Sequence, residues 1–143
     1  MIVIVDYGMG NLRSVQKAFE VCGAKVKISS SADEIAKAEK IVLPGVGAFG
    51  AAMRELRKRG LVTVIKAKIK SGTPYLGLCL GLQLLLDRSE EGTTHGFGIL
   101  PGVVRRFRGD FKIPHMGWNT LALKKGNSAL FRGLKKSEHF YFV

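Results

Sequence analysis

One cysteine lies in a segment whose composition suits nucleophilic chemistry. Cys79 stands between Gly77 and Gly81, where an apolar run over residues 75–78 meets a second apolar run that begins at Leu80. A strand that turns sharply into a helix projects the residue at the turn, and small neighbours let the two backbones approach. Unpaired N–H groups at a helix start also favour the reactive thiolate. We therefore predict that Cys79 is a nucleophile at a strand-to-helix elbow, and a buried structural cysteine is the alternative.

A second glycine-rich segment also follows an apolar run. Residues 43–50 read Leu-Pro-Gly-Val-Gly-Ala-Phe-Gly and precede a helical pattern. In a parallel sheet this loop would lie at the same carboxyl edge as Cys79, with backbone N–H groups free to bind phosphate or a developing oxyanion. The segment lacks the Gly-Lys-Ser/Thr ending of a phosphate-binding P-loop. A glycine-rich turn without any ligand is the remaining alternative.

Two further positions are candidates for binding. Gln83 lies one helical turn beyond Cys79 on the same helix face, so its side chain would be placed to hydrogen-bond a substrate. Residues 113–119 gather His115, Met116 and Trp118, the only tryptophan, into one turn. Such a cluster is either loop packing or, if it is exposed, part of a partner interface.

The elements that must position these residues follow from the pattern of apolar runs. β-branched runs alternate with helical patterns, which predicts an α/β fold with a mostly parallel sheet and helices on both faces. The predicted strands cover residues 2–5, 25–28, 40–43 and 75–78, and the predicted helices cover residues 12–22, 32–38, 49–58, 62–70 and 80–88. Helical spacing places Cys22 on the core face of the first helix. Shorter extended pieces are predicted at residues 103–107, 120–123 and 140–143.

Composition limits the class of protein. The chain has 143 residues, of which 46% are apolar and 24% charged, and this balance is typical of one soluble globular domain over residues 1–143. No stretch is long and apolar enough to span a membrane, and the first residues do not resemble a signal peptide, so we expect a cytoplasmic protein. Two cysteines in such different settings do not suggest a disulfide. No metal site and no cofactor are predicted.

The net charge of +12 is concentrated in residues 101–143. Clustered Lys and Arg can bind nucleic acid, but here the basic runs alternate with apolar residues as solvated helix faces do, without interleaved aromatic residues. We therefore predict no nucleic-acid partner and no membrane partner. An acidic partner subunit or a phosphorylated substrate would suit the charge.

Four segments together resemble a known family. They are the elbow Gly-Leu-Cys-Leu-Gly-Leu-Gln, the Leu-Pro-Gly-Val-Gly-Ala-Phe loop, the opening Asp-Tyr-Gly-Met-Gly-Asn-Leu over residues 6–12 and the turn Pro-His-Met-Gly-Trp-Asn over residues 114–119. The elbow is similar to that of the class I glutamine amidotransferases. The other segments resemble, within that family, the glutaminase subunits of imidazole glycerol phosphate synthase. The likeness extends over residues 1–143 and implies a flavodoxin-like or Rossmann-like fold.

The resemblance implies a reaction and a set of roles. Cys79 would attack the side-chain amide of glutamine to give a γ-glutamyl thioester and ammonia. Backbone N–H groups of an oxyanion loop would stabilise the intermediate, and Gln83 would bind the glutamine. The residues implied for the oxyanion loop are Gly45, Val46, Gly47 and Leu80.

The resemblance also implies a partner. Ammonia would pass to a cyclase subunit with a (β/α)₈ barrel, giving a heterodimer of histidine biosynthesis, and Asn11 and Trp118 match segments that face that subunit. The family's general base is a histidine in a later His-Pro-Glu motif, which does not occur among residues 1–143. We therefore expect an incomplete domain that is nearly inactive alone. Another class I amidotransferase subunit and a non-catalytic partner-binding module are the alternatives.

Overall fold

The computed structural model describes residues 1–110, 112–122, 129–135 and 137–143. The chain divides into two compact units, Met1–Arg106 and Phe107–Val143. A division of this kind does not show that either unit folds alone, so the single domain predicted for residues 1–143 stays a prediction. Within the described residues, no helix has the length and apolar character needed to cross a membrane.

A four-stranded parallel sheet forms the centre of the first unit. Its strands are β1 (Ile2–Val5), β2 (Val26–Ser29), β3 (Lys40–Gly45) and β4 (Tyr75–Cys79), in the order β2-β1-β3-β4. The chain winds to one side of β1 and then to the other, so the strand order reverses between β1 and β3. Ligands of open α/β sheets bind at the carboxyl edge beside such a reversal. The predicted parallel sheet is confirmed.

In the first unit, five α-helices connect the strands or follow them. They are α1 (Leu12–Val21), α2 (Ala32–Ala36), α3 (Phe49–Lys58), α4 (Leu61–Lys70) and α5 (Leu80–Gln83). A cluster of buried apolar side chains joins one face of the sheet to α2, α3 and α4, and it includes Val5, Leu43, Ile35, Met53 and Ile65. Burial of this kind stabilises the unit by removing apolar surface from water.

The prediction for Cys22 was wrong. Cys22 is exposed because α1 ends at Val21 and Cys22 is its C-cap, after which the chain turns at Gly23 with φ of 76°. The residue therefore leaves the helical spacing before it reaches the core. Even Val21, the last helical residue, is 88% exposed.

The last predicted helix was also too long. It was predicted over residues 80–88, but α5 ends at Gln83. The N–H groups of Phe97 and Ile99 donate to the carbonyl oxygens of Leu84 and Leu85, at 2.8 and 2.9 Å, so these carbonyls do not continue the helical ladder. The chain instead forms two short parallel strands, β5 (Arg88–Ser89) and β6 (Val103–Val104), and β6 is the observed part of the strand predicted at residues 103–107.

The second unit contains an antiparallel pair of strands. β7 (Gly117–Thr120) pairs with β8 (His139–Phe142), and Trp118 lies opposite Tyr141. The strand predicted at residues 120–123 was wrong, because β7 ends at Thr120, where that prediction begins; Leu123 lies outside the described residues. The strand predicted at residues 140–143 is present, one residue earlier in the chain.

Close backbone approach fixes α5 against the sheet. A Cβ at Gly81 would overlap the carbonyl oxygen of Leu43, and a Cβ at Gly77 would lie 2.5 Å from the carbonyl oxygen of Gly81. A Cβ at Gly45 would lie 2.9 Å from the Cβ of Leu80. Only glycine allows these approaches, which confirms the prediction that Gly77 and Gly81 serve backbone packing.

Replacing Gly81 should therefore unfold the first unit more readily. We expect Gly81→Ala to lower the free energy of unfolding by about 3 kcal/mol, because neither the methyl group nor the Leu43 carbonyl can move aside. The control is Gly92→Ala, whose added Cβ meets no atom within 4 Å and should change the free energy by less than about 0.5 kcal/mol. Urea denaturation of both variants checks this, and equal stabilities would contradict it.

Candidate active site

Cys79 lies at a strained turn at the carboxyl edge of the sheet. It is the last residue of β4 and the N-cap of α5, with φ of 52° and ψ of −115°. Among the described residues it is the one non-glycine residue with positive φ. A conformation of this kind costs on the order of 1 to 3 kcal/mol and persists only where the surrounding structure enforces it. The side chain is exposed, as the elbow prediction requires.

The loop predicted to bind the oxyanion lies beside this cysteine. Gly45 is the register partner of Cys79, and neighbouring strands lie about 4.8 Å apart. Val46 and Gly47 follow at the exposed edge, and Leu80 is the buried first residue of α5. The structure thus brings Gly45, Val46, Gly47 and Leu80 to one edge with Cys79.

The position of Gln83 supports its predicted role less directly than the positions of the loop residues support theirs. It is the last residue of α5, half-buried and one turn beyond Cys79. Because α5 is a single turn, few peptide dipoles add up behind Cys79. An anion at the start of α5 would therefore be bound by the N–H groups of the first turn and only weakly by the helix dipole. The binding role of Gln83 stays a prediction.

Two tyrosines lie beneath the elbow, of which Tyr7 is buried and Tyr75 half-buried. Tyr7 is fully buried, and its hydroxyl lies 2.8 Å from the point where a Cβ of Gly45 would stand. Burial raises the pKa of Tyr7 to about 12, and the charge of Cys79 contributes in the same direction. The hydroxyl of Tyr75 donates a hydrogen bond of 2.7 Å to the carbonyl oxygen of Gly81, and burial strongly raises the pKa of Tyr75.

Sequence analysis missed both tyrosines as parts of the site. The available indication for Tyr7 was its position two residues after the end of β1, at the edge that also carries residues 43–50 and Cys79. A tyrosine in the strand before an elbow resembles any other apolar strand residue.

A cleft opens beside the loop that follows β3. It has a volume of about 320 Å³ and is lined by residues 48–51, Arg54 and residues 91–94. The carboxylate of Glu91 accepts a hydrogen bond of 2.8 Å from the N–H of Phe49, so it caps α3, whose N-cap Ala48 has no side chain for this purpose. Neither Cys79 nor Gln83 is among the described residues that line the cleft. Sequence analysis missed Glu91, because a cap from a distant loop leaves no short-range pattern.

Comparison with known proteins agrees with this geometry. The family model for glutamine amidotransferase class-I matches residues 3–143. The chain belongs to the class I glutamine amidotransferase family. A solved structure described as a glutamine amidotransferase aligns with a TM-score of 0.69 over 84% of this chain and 64% of its own, at 17% identity, which shows a likeness of fold alone.

Curated relatives in this family carry a more specific name. The imidazole glycerol phosphate synthase subunit HisH of Rhodopirellula baltica is 53% identical over 100% of this chain and 70% of its own length. The subunit of the same name from Microcystis aeruginosa is 51% identical over 100% of this chain and 68% of its own length. The chain thus spans about 70% of the length of these relatives.

The two residues predicted to face a partner lie in different units of this family member. The Oδ1 atom of Asn11 accepts a hydrogen bond of 3.3 Å from the N–H of Ser14, so Asn11 caps α1. Trp118 is 69% exposed and packs edge-on against Tyr141, with ring centroids 5.5 Å apart. An exposed aromatic pair suits a partner surface. That role stays a prediction for both residues.

The strain at Cys79 is measurable. We expect Cys79→Gly to be more stable than Cys79→Ala by about 1 kcal/mol, because glycine adopts positive φ without the steric cost that alanine shares with cysteine. Both variants lack the thiol, so the difference between their free energies of unfolding reports the cost of the backbone conformation at position 79. Urea denaturation of the two proteins checks it, and an alanine variant as stable as the glycine variant would show an unstrained turn.

Alkaline titration tests the burial of Tyr7. Its pKa is about 12 in the folded chain against 10.0 ordinarily, so above pH 10 the unfolded chain releases the proton first. The free energy of unfolding should therefore fall as pH rises from 10 to 12, with roughly 2 kcal/mol from Tyr7. Tyr7→Phe lacks this contribution, so its free energy of unfolding should decline less steeply between pH 10 and 12. Urea midpoints of both proteins across this range measure it, and identical slopes would refute it.

Proposed function

We propose that this chain is the glutaminase part of an imidazole glycerol phosphate synthase, and that it releases ammonia from glutamine. The observation that carries the proposal is the strained, exposed Cys79 beside the glycine-rich loop, in a chain about half identical to the HisH subunits. A thiol held at a sharp elbow next to backbone donors is equipped for acyl transfer. The protein is proposed to act in the cytoplasm.

The chemistry starts with the sulfur of Cys79. The thiolate attacks the carbon of the glutamine carboxamide, a C–S bond forms, and the tetrahedral intermediate carries its negative charge on oxygen. The N–H groups of Val46, Gly47 and Leu80 stabilise that oxyanion, and one such donor is worth about 3 kcal/mol. The C–N bond then breaks, and the nitrogen takes up a proton and leaves as ammonia. Water hydrolyses the thioester to glutamate and regenerates the thiol.

Binding and proton transfer involve further groups. Gln83, one turn from Cys79, is proposed to hydrogen-bond the substrate. The family resemblance implies that the general base is a histidine of a His-Pro-Glu motif. Residues 1–143 contain no such motif, and none of His95, His115 and His139 is assigned that role. The rate falls by orders of magnitude without a base, so efficient turnover requires that group.

The proposed partner is a cyclase subunit with a (β/α)₈ barrel. The exposed pair of Trp118 and Tyr141 offers apolar contact area of the kind that protein interfaces favour. The net charge of +12 would steer an acidic surface towards the chain. Asn11, at the start of α1, is proposed to face the same subunit.

The decisive variant is Cys79→Ser in the complete protein with its cyclase partner. We expect glutamine-dependent ammonia release to fall by at least about a thousandfold, because a hydroxyl in this turn is a far weaker nucleophile. The matched control is Cys22→Ser, which removes the other exposed thiol and should leave the rate unchanged. A coupled glutamate assay measures both.

Two outcomes would redirect the proposal. Ammonia release that survives Cys79→Ser would end the thioester mechanism. A complex that forms but releases no ammonia even with Cys79 present would favour the non-catalytic binding module.

A further inference from the structure

A buried polar group beneath the elbow is not used by the proposed mechanism. The hydroxyl of Tyr7 has no hydrogen-bond partner among the described residues, and it is the one buried side-chain oxygen or nitrogen there in that state. The whole side chain is inaccessible to solvent. An unsatisfied buried hydroxyl is destabilising, so its presence calls for a physical reason.

The position of this hydroxyl is defined by three neighbouring strands. Ile4 is the register partner of Val42, and the same offset, continued two residues beyond the end of β1, brings Tyr7 level with Gly45. Gly45 is in turn the partner of Cys79. Tyr7, Gly45 and Cys79 therefore form one row across the sheet edge, and the middle member has no side chain.

The missing side chain creates the space that the phenol occupies. A Cβ on Gly45 would lie 2.8 Å from the Tyr7 hydroxyl and 3.0 Å from the backbone nitrogen of Gly81. The hydroxyl thus lies under the first turn of α5, on the side of the sheet where the elbow packs. Tyr7 also interacts electrostatically with Cys79, and burial makes that interaction stronger than it would be in water.

We propose that Tyr7 is a positioning residue for the glutaminase reaction, whose hydroxyl donates a hydrogen bond to the Cys79 sulfur when that sulfur is charged. This proposal rests on the proposed function for its catalytic consequence, but the interaction itself can be tested on the thiol. In the resting structure no acceptor among the described residues, the Cys79 sulfur included, lies within hydrogen-bond geometry of this hydroxyl. A thiolate attracts a donor far more strongly than a neutral thiol does, so the proposed bond forms when the sulfur becomes charged. The Tyr7 hydroxyl, which has no partner in the resting state, is then available to donate a hydrogen bond to the Cys79 thiolate.

Among the described residues, few charged or titratable groups lie near Tyr7. Cys79 and Tyr75 interact with it electrostatically, from β4. Beyond Tyr7, the carboxylate of Asp6 accepts a hydrogen bond from the N–H of Gly8, and the Arg59 guanidinium packs against Gly8. Tyr75 differs from Tyr7 because its hydroxyl is already bonded to Gly81, so Tyr7 is the free donor of the two.

The test is Tyr7→Phe in a Cys22→Ser background, where Cys79 is the one remaining thiol. The readout is the rate of Cys79 alkylation by iodoacetamide as a function of pH. We expect the profile to move to higher pH, with a roughly tenfold slower reaction at neutral pH, as befits loss of one hydrogen bond to a charged group. An unchanged profile would overturn the proposal.

A matched control separates this effect from damage to the turn. Tyr75→Phe removes a neighbouring phenol oxygen whose partner is a carbonyl, so it should lower the urea midpoint and shift the alkylation profile much less than Tyr7→Phe does. Tyr7→Phe should instead keep or raise the urea midpoint, because it removes an unsatisfied group. Equal shifts of the alkylation profile in both variants would overturn the proposal.

The catalytic consequence is measured in the complete protein with its partner. Tyr7→Phe should lower kcat for ammonia release about tenfold and leave KM unchanged, because the hydroxyl acts on the nucleophile and does not touch glutamine. A rise in KM at constant kcat would overturn the positioning role. If the parent protein itself released no ammonia, the proposed function would fail, while the alkylation profiles would still decide the role of Tyr7.

Discussion

The packing of one helical turn on a β-strand controls the geometry of the site. Gly81 in α5 lies directly against the carbonyl oxygen of Leu43, and Gly77 lies under the same turn. The hydrogen bond from Tyr75 to the Gly81 carbonyl fixes the turn in place. Because α5 cannot move away, Cys79 is forced into positive φ and its thiol projects from the sheet edge.

The same packing sets the surroundings of the thiol. Gly45 stands beside Cys79 in the neighbouring strand, so the loop that follows it presents its backbone at the reacting edge. On the other side, the space left by Gly45 admits the Tyr7 phenol. The nucleophile is thus exposed to substrate above and lies over a buried, low-dielectric layer below. Fixed dipoles in such a layer act strongly on charge that develops during a reaction.

Local patterns predicted the parts of the fold that local interactions determine. β1, α3 and the start of β4 were predicted with the bounds the structure shows, because alternation, helical spacing and flanking glycines all agree there. The elbow was predictable because its close backbone packing requires glycine two residues before and two residues after Cys79. The end of α5 was not, since hydrogen bonds from residues 97–100 end it.

Residues missed by sequence analysis act over long distances along the chain. Glu91 caps α3 from 42 residues away, and Tyr7 reaches the elbow across two strands. The error for Cys22 had a different cause, since a helix that ends one residue early removes the next residue from the core face. Caps and packing of this kind depend on tertiary structure, which composition and periodicity do not encode.

The central claim is that Cys79 is the acyl-accepting nucleophile of a glutaminase. The most direct measurement is peptide mass spectrometry of the complete protein with its partner, after treatment with an electrophilic glutamine analogue and with excess glutamine as competitor. The account predicts one adduct, on the peptide that contains Cys79, which glutamine suppresses. An adduct on Cys22 to the same extent, or labelling of Cys79 that glutamine does not suppress, would contradict it.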